Sequence, residues 1–458
     1  MESVKEVLFE SRPEWKQIIL LKKTSAAKFF HEKKELDTNK IYVLDDKVVY
    51  VLPDDINKEI LRKAGAFIVD YCIANSIERA CIDLKAVSDK VSVLVGIHIA
   101  SYYFDMKSKK KEKSITLAIF PADKSLKKLF EKQKIIFSAV NFARELINTP
   151  ANIMDIDNFV KAVGDALSKK KHVSVGVLDE AKLKKLGMNL IIAVCQGSVN
   201  KPKLMIVEYT PLKKKEFDLV LIGKGVIFDS GGLSLKPSKS METMKQDMSG
   251  AATVMSIIMA AADLGLKKNL IAIAPIVENM PSGSAIKPGD IVTAMSGKTV
   301  EILNTDAEGR LILADAISYA CKNYKFKHLV DFATLTGACV VALGHYAAAV
   351  LGTDQKLITS LIKSGQDTGE FLWQLPLWDD YSELIKSPYA DIKNIGGEGA
   401  GAGTIIGACF LKEFVTVKSW AHIDIAGTAF AENKLKYYNL GATGFGVRLI
   451  INYLDKGY

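Results

Sequence analysis

Histidine is scarce in this 458-residue chain, and none of the six stands in an acidic cluster or forms H-E-x-x-H, which excludes a zincin-type metal site. Cysteine is as sparse. The six residues, at 72, 81, 195, 321, 339 and 409, form no C-x-x-C pair and include several in apolar surroundings, so the expectation is reduced core thiols in a cytosolic protein. There is no G-x-x-x-x-G-K-[ST], so Gly223-Lys224 is not a phosphate loop, and no G-x-G-x-x-G opens a helix, which leaves nucleotide chemistry without support. No G-x-S-x-G marks a nucleophile elbow. Ser230 and Ser234 have no histidine near them in sequence, although sequence distance alone does not exclude a triad. The first residues carry Glu2, Glu6 and Glu10 in place of the basic and then apolar profile of a secretory signal. No stretch is expected to reach the length of a membrane span.

What is present is ordinary for a globular protein: 49% hydrophobic and 25% charged residues, enough to bury a large core and too apolar for disorder. The length favours two domains. Of the net charge of +9, roughly six units fall within the first 150 residues. A basic segment invites nucleic acid, but no stacking aromatics interleave Lys109-Lys110-Lys111, so a solvated lysine-rich surface is the plainer reading and nucleic-acid binding stays without further support.

Along the chain, 17–21, 47–52, 92–99 and 114–120 read as strands and 56–74 as a helix. A long amphipathic pattern over 123–148 predicts a helix that stops at Thr149-Pro150, where proline forbids continuation. Beyond it, strands at 173–178, 203–209, 219–228, 270–277 and 328–332 alternate with helices at 155–168, 180–186, 250–264 and 311–324, the rhythm of an α/β domain with a mostly parallel sheet. The expected fold is α/β: a smaller N-terminal α/β domain (1–122), a connecting helix (123–149) and a larger C-terminal α/β domain (150–458).

Chemistry concentrates in two stretches. In Asn304-Thr305-Asp306-Ala307-Glu308-Gly309-Arg310, two carboxylates and a guanidinium alternate directly after the apolar run 300–303. If that run is a strand, the three project from one side of its continuation. Carboxylates held this close repel, and a hard divalent metal is the simplest cation to relieve them, although acidic pairs beside arginine are also common on solvated surfaces. In the second stretch, 218–237, Lys224 and Asp229 punctuate an otherwise apolar segment that follows Asp218, the pattern of a buried strand whose polar side chains must find partners, and Asp247 comes after it. Asp229, Asp247, Asp306 and Glu308 together suffice for two metal ions with bridging carboxylates. A lysine joins such a set only as the neutral amine, which an adjacent dication favours.

His422, in Trp420-Ala421-His422-Ile423-Asp424, sits in a strand-like run and is better read as a hydrogen-bonded core residue than as a ligand. The glycine-rich pieces at 229–232, 336–338 and 441–444 fit turns or close helix approaches. The denser 396–403 suggests backbone lying close to a ligand or a neighbouring chain.

The residues 304–311 resemble the signature of the leucine aminopeptidase (cytosol aminopeptidase) family of two-metal exopeptidases. Also similar to that family, in order and with fitting gaps, are Gly223-Lys224-Gly225, 228–232, Lys236, 245–248, 278–283, Thr334-Leu335-Thr336-Gly337 and 420–427, so that the likeness covers roughly 140–458. It implies that Lys224, Asp229, Asp247, Asp306 and Glu308 hold two divalent ions (Mn or Zn, or else Mg or Co), with Asp229 and Glu308 bridging. It implies catalytic roles for Lys236, which would stabilise the oxyanion formed by hydroxide attack, and for Arg310, which would hold a bicarbonate ion acting as base. Met244, Thr334 and Gly337 would line the pocket for the first side chain, predicting release of Leu or other apolar N-terminal residues from short peptides. A cytoplasmic homohexamer is implied as well. Two other readings stay open at this point: a DNA-binding architectural role, and a metallohydrolase acting on another amide.

Overall fold

The computed structural model describes residues 2–30, 36–44, 47–109, 114–121, 124–397 and 399–457, so that Lys110, Lys111, Asp123 and Glu398 lie outside the described residues. Two compact units emerge: 1–137 with 431–441, and 138–430 with 442–458. The helix Lys124–Asn148 begins in one and ends in the other.

The first unit is built on a six-stranded sheet in the order Val4–Leu8, Ile115–Phe120, Arg79–Asp83, Lys16–Lys22, Lys47–Leu52, Ile41–Leu44, parallel throughout except for the last pair. The run expected as a strand at 92–99 is instead the helix Lys90–Ser101. It is buried along most of its length, so its sequence shows no polar face and its valines and isoleucines imitate a central strand. The local signal that decides for helix is Asp89, whose carboxylate accepts from the Ser92 amide at 3.1 Å, a cap worth roughly 1 kcal/mol.

The second unit carries a nine-stranded sheet. Its path runs Leu372–Gln374, Ala348–Gly352, Trp420–Asp424, Phe326–Ala333, Phe217–Gly223, Leu270–Asn279, Lys203–Tyr209, Val173–Leu178, with Gly225–Asp229 paired to Leu270–Asn279. The four central strands are parallel, as the α/β rhythm predicts, while Lys203–Tyr209 and Ala348–Gly352 on either side run antiparallel to their central neighbours. The apolar run expected as one strand at 219–228 is broken at Lys224 into two. Helices Ile156–Leu167 and Glu180–Lys185 start on Asp155 and Asp179, each accepting an amide with its side chain.

Helix Ser249–Leu264 reaches unusually close to the strand ends. A Cβ on Gly250 would lie 2.1 Å from the Phe332 carbonyl oxygen, and one on Gly223 would lie 2.4 Å from that of Gly250. Only glycine permits this approach, and it seats the helix start beside Lys224. The stretch Ser238–Leu264, which contains this helix, amends the expectation about membrane spans: it is long and apolar enough by composition, but 78% of its most apolar window is buried inside the fold, the profile of a core helix.

Candidate active site

Five parallel strand ends converge on one place, as ligand sites of open α/β sheets do. Lys224 follows Phe217–Gly223, Asp229 closes Gly225–Asp229, Asn279 closes Leu270–Asn279, Thr334 follows Phe326–Ala333, and Asp424 closes Trp420–Asp424. Asp247 enters from the turn before helix Ser249–Leu264. The strand Thr299–Ile302 ends before the acidic motif, so Asp306, Glu308 and Arg310 do not continue it as alternate strand positions. They come instead from a loop and the first turn of helix Gly309–Asn323, and that bend is what turns the two carboxylates toward Asp229. Oxygens of Asp229, Asp306 and Glu308 lie within 4.8 Å of one another.

Two loops far apart in sequence are stitched together to make this geometry. Thr305 Oγ1 donates to Gly231 O at 2.6 Å and accepts from the Ser234 amide at 2.8 Å, while the Thr305 amide donates to Ser234 Oγ at 3.1 Å. The Lys236 amide closes the first loop onto Ser230 O. This returns the Lys236 ammonium to Asp229 Oδ2 at 2.8 Å and Asp306 Oδ1 at 2.5 Å.

Lys224 lies deeper. Its ammonium donates to Thr334 O at 3.0 Å and pairs with Asp247 Oδ2 and Glu308 Oε1, both at 2.8 Å. Burial by itself would lower both lysine pKa values, but the facing carboxylates outweigh it and hold both above the ordinary lysine range. The acids move the other way. Burial, aided by Asp229, pushes Glu308 up to about 8, and burial pushes Asp247 up to about 6 in spite of Lys224.

The carboxylates are under-satisfied. Asp229 Oδ1 accepts from the Gly231 amide and from Asn279 Nδ2, and Asp247 Oδ1 accepts from Thr334 Oγ1. Glu308 Oε2 is buried with no hydrogen-bond donor, and the facing oxygens of Asp247 and Asp306 meet only the two lysines. Buried carboxylate oxygens without donors cost several kcal/mol, and hard divalent cations are the partners that this donor set fits. With carboxylates alone around it Lys224 is an ammonium; acting as a ligand requires the neutral amine that a neighbouring dication favours.

Arg310 is buried beside this cluster. Nη1 donates to Asn394 O at 2.8 Å, while Nε has no partner. Burial draws its pKa down to about 10 against the opposing effect of Glu308 and Asp424, so it remains a cation at neutral pH. Such a guanidinium is a ready anion site.

Of the expected pocket residues, Thr334 is committed to the carboxylate cluster through its hydroxyl and carbonyl, Met244 is half-buried in the short turn before Asp247, and Gly337 is exposed at the start of helix Gly337–Leu343. His422 is a core residue, as expected, bonded through Nδ1 to Asp331 Oδ1 at 2.6 Å. Sequence reasoning passed over Asn279, Thr305 and Asn394 as site residues. The first two stand inside motif stretches and were open to notice; nothing local marks Asn394.

A carboxylate-rich centre suited to divalent metals, set at the strand ends of an α/β sheet, defines a metallohydrolase. The family model described as "Cytosol aminopeptidase family, catalytic domain" matches residues 141–451. A probable cytosol aminopeptidase of Geobacter sp. (strain M21) is 45% identical over 401 residues, 86% of this chain and 79% of its own length. That of Cenarchaeum symbiosum (strain A) is 45% identical over 408 residues, 88% of this chain and 83% of its own length. Among solved structures, the bottromycin maturation enzyme BotP in complex with Mn shares the fold at a TM-score of 0.85 and 28% identity, over 96% of this chain and 98% of that one. The chain belongs to the cytosol aminopeptidase family, and is a metal-dependent hydrolase of leucyl aminopeptidase type.

Proposed function

We propose that this chain releases apolar N-terminal residues, Leu among them, from short peptides, using two divalent ions held by Lys224, Asp229, Asp247, Asp306 and Glu308. The observation that carries this reading is the convergence of Asp229, Asp306 and Glu308 with a donor-free oxygen on Glu308. Bound there, the ions supply Lewis acidity and bring the pKa of water into the neutral range; manganese is the first metal to try, because BotP binds it.

The residues divide the remaining work. Asp306 is the open member of the cluster, with its side chain 34% exposed against 2–4% for Asp229, Asp247 and Glu308, so substrate enters on its side. Lys236, 15% exposed and next to Asp306, lies where an ammonium stabilises an oxyanion developing on the scissile carbonyl. Arg310, buried and with its Nε unpartnered, would hold a bicarbonate ion, which when bound would supply a general base. Met244, Thr334 and Gly337 border the side-chain pocket. The reading includes a cytoplasmic homohexamer, whose assembly would cover some of the exposed apolar side chains of the catalytic unit, such as Trp373 and Trp378.

The test is hydrolysis of leucine p-nitroanilide by metal-stripped protein and after adding Mn²⁺ or Zn²⁺, beside N-acetyl-leucine p-nitroanilide and an aspartyl analogue. Metal-dependent cleavage of the free leucyl compound alone is expected. Cleavage of the acetylated compound would show a metallohydrolase for other amides.

A further inference from the structure

Asn394 is fully buried, and its polar groups turn to a single segment. Its backbone amide donates to Glu301 O at 2.9 Å. Its side-chain oxygen accepts from the amides of Leu303 at 2.9 Å and Asn304 at 3.3 Å, and its side-chain nitrogen donates to Asn304 O at 2.7 Å. Its carbonyl accepts from Arg310 Nη1 at 2.8 Å. The strand pairing that would otherwise satisfy this backbone stops too early: Ile392–Lys393 pairs with Thr299–Ile302 over only Val300↔Ile392 and Glu301↔Lys393. Beyond that point the Asn394 carboxamide takes the place of the missing ladder, holding the chain as it leaves the strand and turns into the loop of Asp306 and Glu308.

We infer that Asn394 is a positioning residue for the peptidase reaction, holding the Asp306–Glu308 loop and the Arg310 guanidinium in one frame. It touches no reacting atom. The inference rests on the reading of Asp306, Glu308 and Arg310 given above. Outer-shell partners of metal ligands and small misplacements of catalytic groups have recognisable costs, about 10- to 100-fold in metal affinity and about 100-fold in rate for a shift near 1 Å.

The experiment compares full-length Asn394→Ala and Asn394→Asp with the unsubstituted chain. It measures kcat and KM on leucine p-nitroanilide at saturating Mn²⁺, Mn²⁺ affinity by calorimetric titration, and thermal melting. Asn394→Ala removes every side-chain bond to the loop, and kcat is expected to fall about 100-fold with Mn²⁺ binding about tenfold weaker. KM should stay within about threefold, the split expected when groups acting in the transition state are misplaced. Asn394→Asp keeps an acceptor for the Leu303 and Asn304 amides but loses the donors to Asn304 O and, at 3.5 Å, to Ala307 O, so it should recover about half of the loss on a logarithmic scale, with kcat still about tenfold below the original. Unchanged kcat and Mn²⁺ affinity in both variants would overturn the inference. If Asn394→Ala does not fold, Asn394→Asp decides alone: a measurable fall in kcat and in Mn²⁺ affinity supports the inference, and unchanged values overturn it. Asp306→Ala and Arg310→Ala run in parallel. Activity retained by those two would sink the underlying site reading, whereas activity lost there and kept in the Asn394 variants would sink the inference alone.

Discussion

The substitution Gly309→Ala separates catalysis from folding. A Cβ at Gly309 would stand 2.6 Å from Lys224 Cε and 2.7 Å from both Cδ and Nζ, where ordinary contact begins at 3.4 Å. The lysine tip must therefore retreat by about 0.7 Å. It is 4% exposed and paired with Asp247 and Glu308 at 2.8 Å, so the shift lengthens those pairs without breaking them and moves the ammonium off its place between the carboxylates. Gly309 opens helix Gly309–Asn323, and alanine is the better helix former by up to about 1 kcal/mol. That gain offsets the roughly 1 kcal/mol cost of forcing Lys224 off its rotamer. Folding should be nearly unaffected, with the melting temperature within a few degrees of the original. Catalysis should not escape: a displacement approaching 1 Å in a group that orders the metal site costs about 100-fold in kcat. Leucine p-nitroanilide hydrolysis with saturating Mn²⁺ reads the rate, and scanning calorimetry reads the fold. Full activity in a well-folded Gly309→Ala protein would refute the assignment of Lys224 to the centre.

Asp306→Ala and Glu308→Ala should lose bound manganese and activity together, whereas Arg310→Ala should keep the metal, by plasma emission analysis, and lose rate; loss of metal from Arg310→Ala would show that the roles do not divide this way. Asn279→Leu removes the donor to Asp229 Oδ1 at 2.8 Å and should weaken Mn²⁺ binding about 10- to 100-fold in a titration. Metal-stripped protein should melt at a lower temperature at pH 8 than at pH 6.5. Burial raises Glu308 to about 8 and Asp315 to about 7, and a carboxyl raised above its unfolded value costs stability as pH climbs through that window. Lys224 and Lys236 are raised too, so what they contribute is undiminished below the ordinary lysine range, and His98, lowered to about 4, has its effect below pH 6.5. Mn²⁺ affinity should rise over the same interval, since binding requires Glu308 ionised. A melting temperature that rises in the stripped protein would count against the buried carboxyl.

Chemistry carried by short motifs was legible in sequence because it depends on residue type and spacing. Lys224 and Asp229 stand out as charges in an apolar run, and Asp155 and Asp179 announce helix starts. Strands 173–178, 203–209 and 270–277 announce themselves for a similar reason, since pattern and composition within a few residues decide them. Where nearly every position is buried, that signal fails, and 92–99 reads as a strand until packing shows it to lie in the helix Lys90–Ser101. Tertiary structure alone decided three further matters. Residues 431–441 join the first unit although they follow most of the second. Asp306, Glu308 and Arg310 face their partners through a loop-to-helix bend, stitched by Thr305 to a turn about 70 residues earlier. Asn394 enters the site because a short strand pairing runs out beside it. Each of these rests on contacts between residues far apart along the chain, whose cost in chain entropy is repaid only by the whole fold, and no local pattern records them.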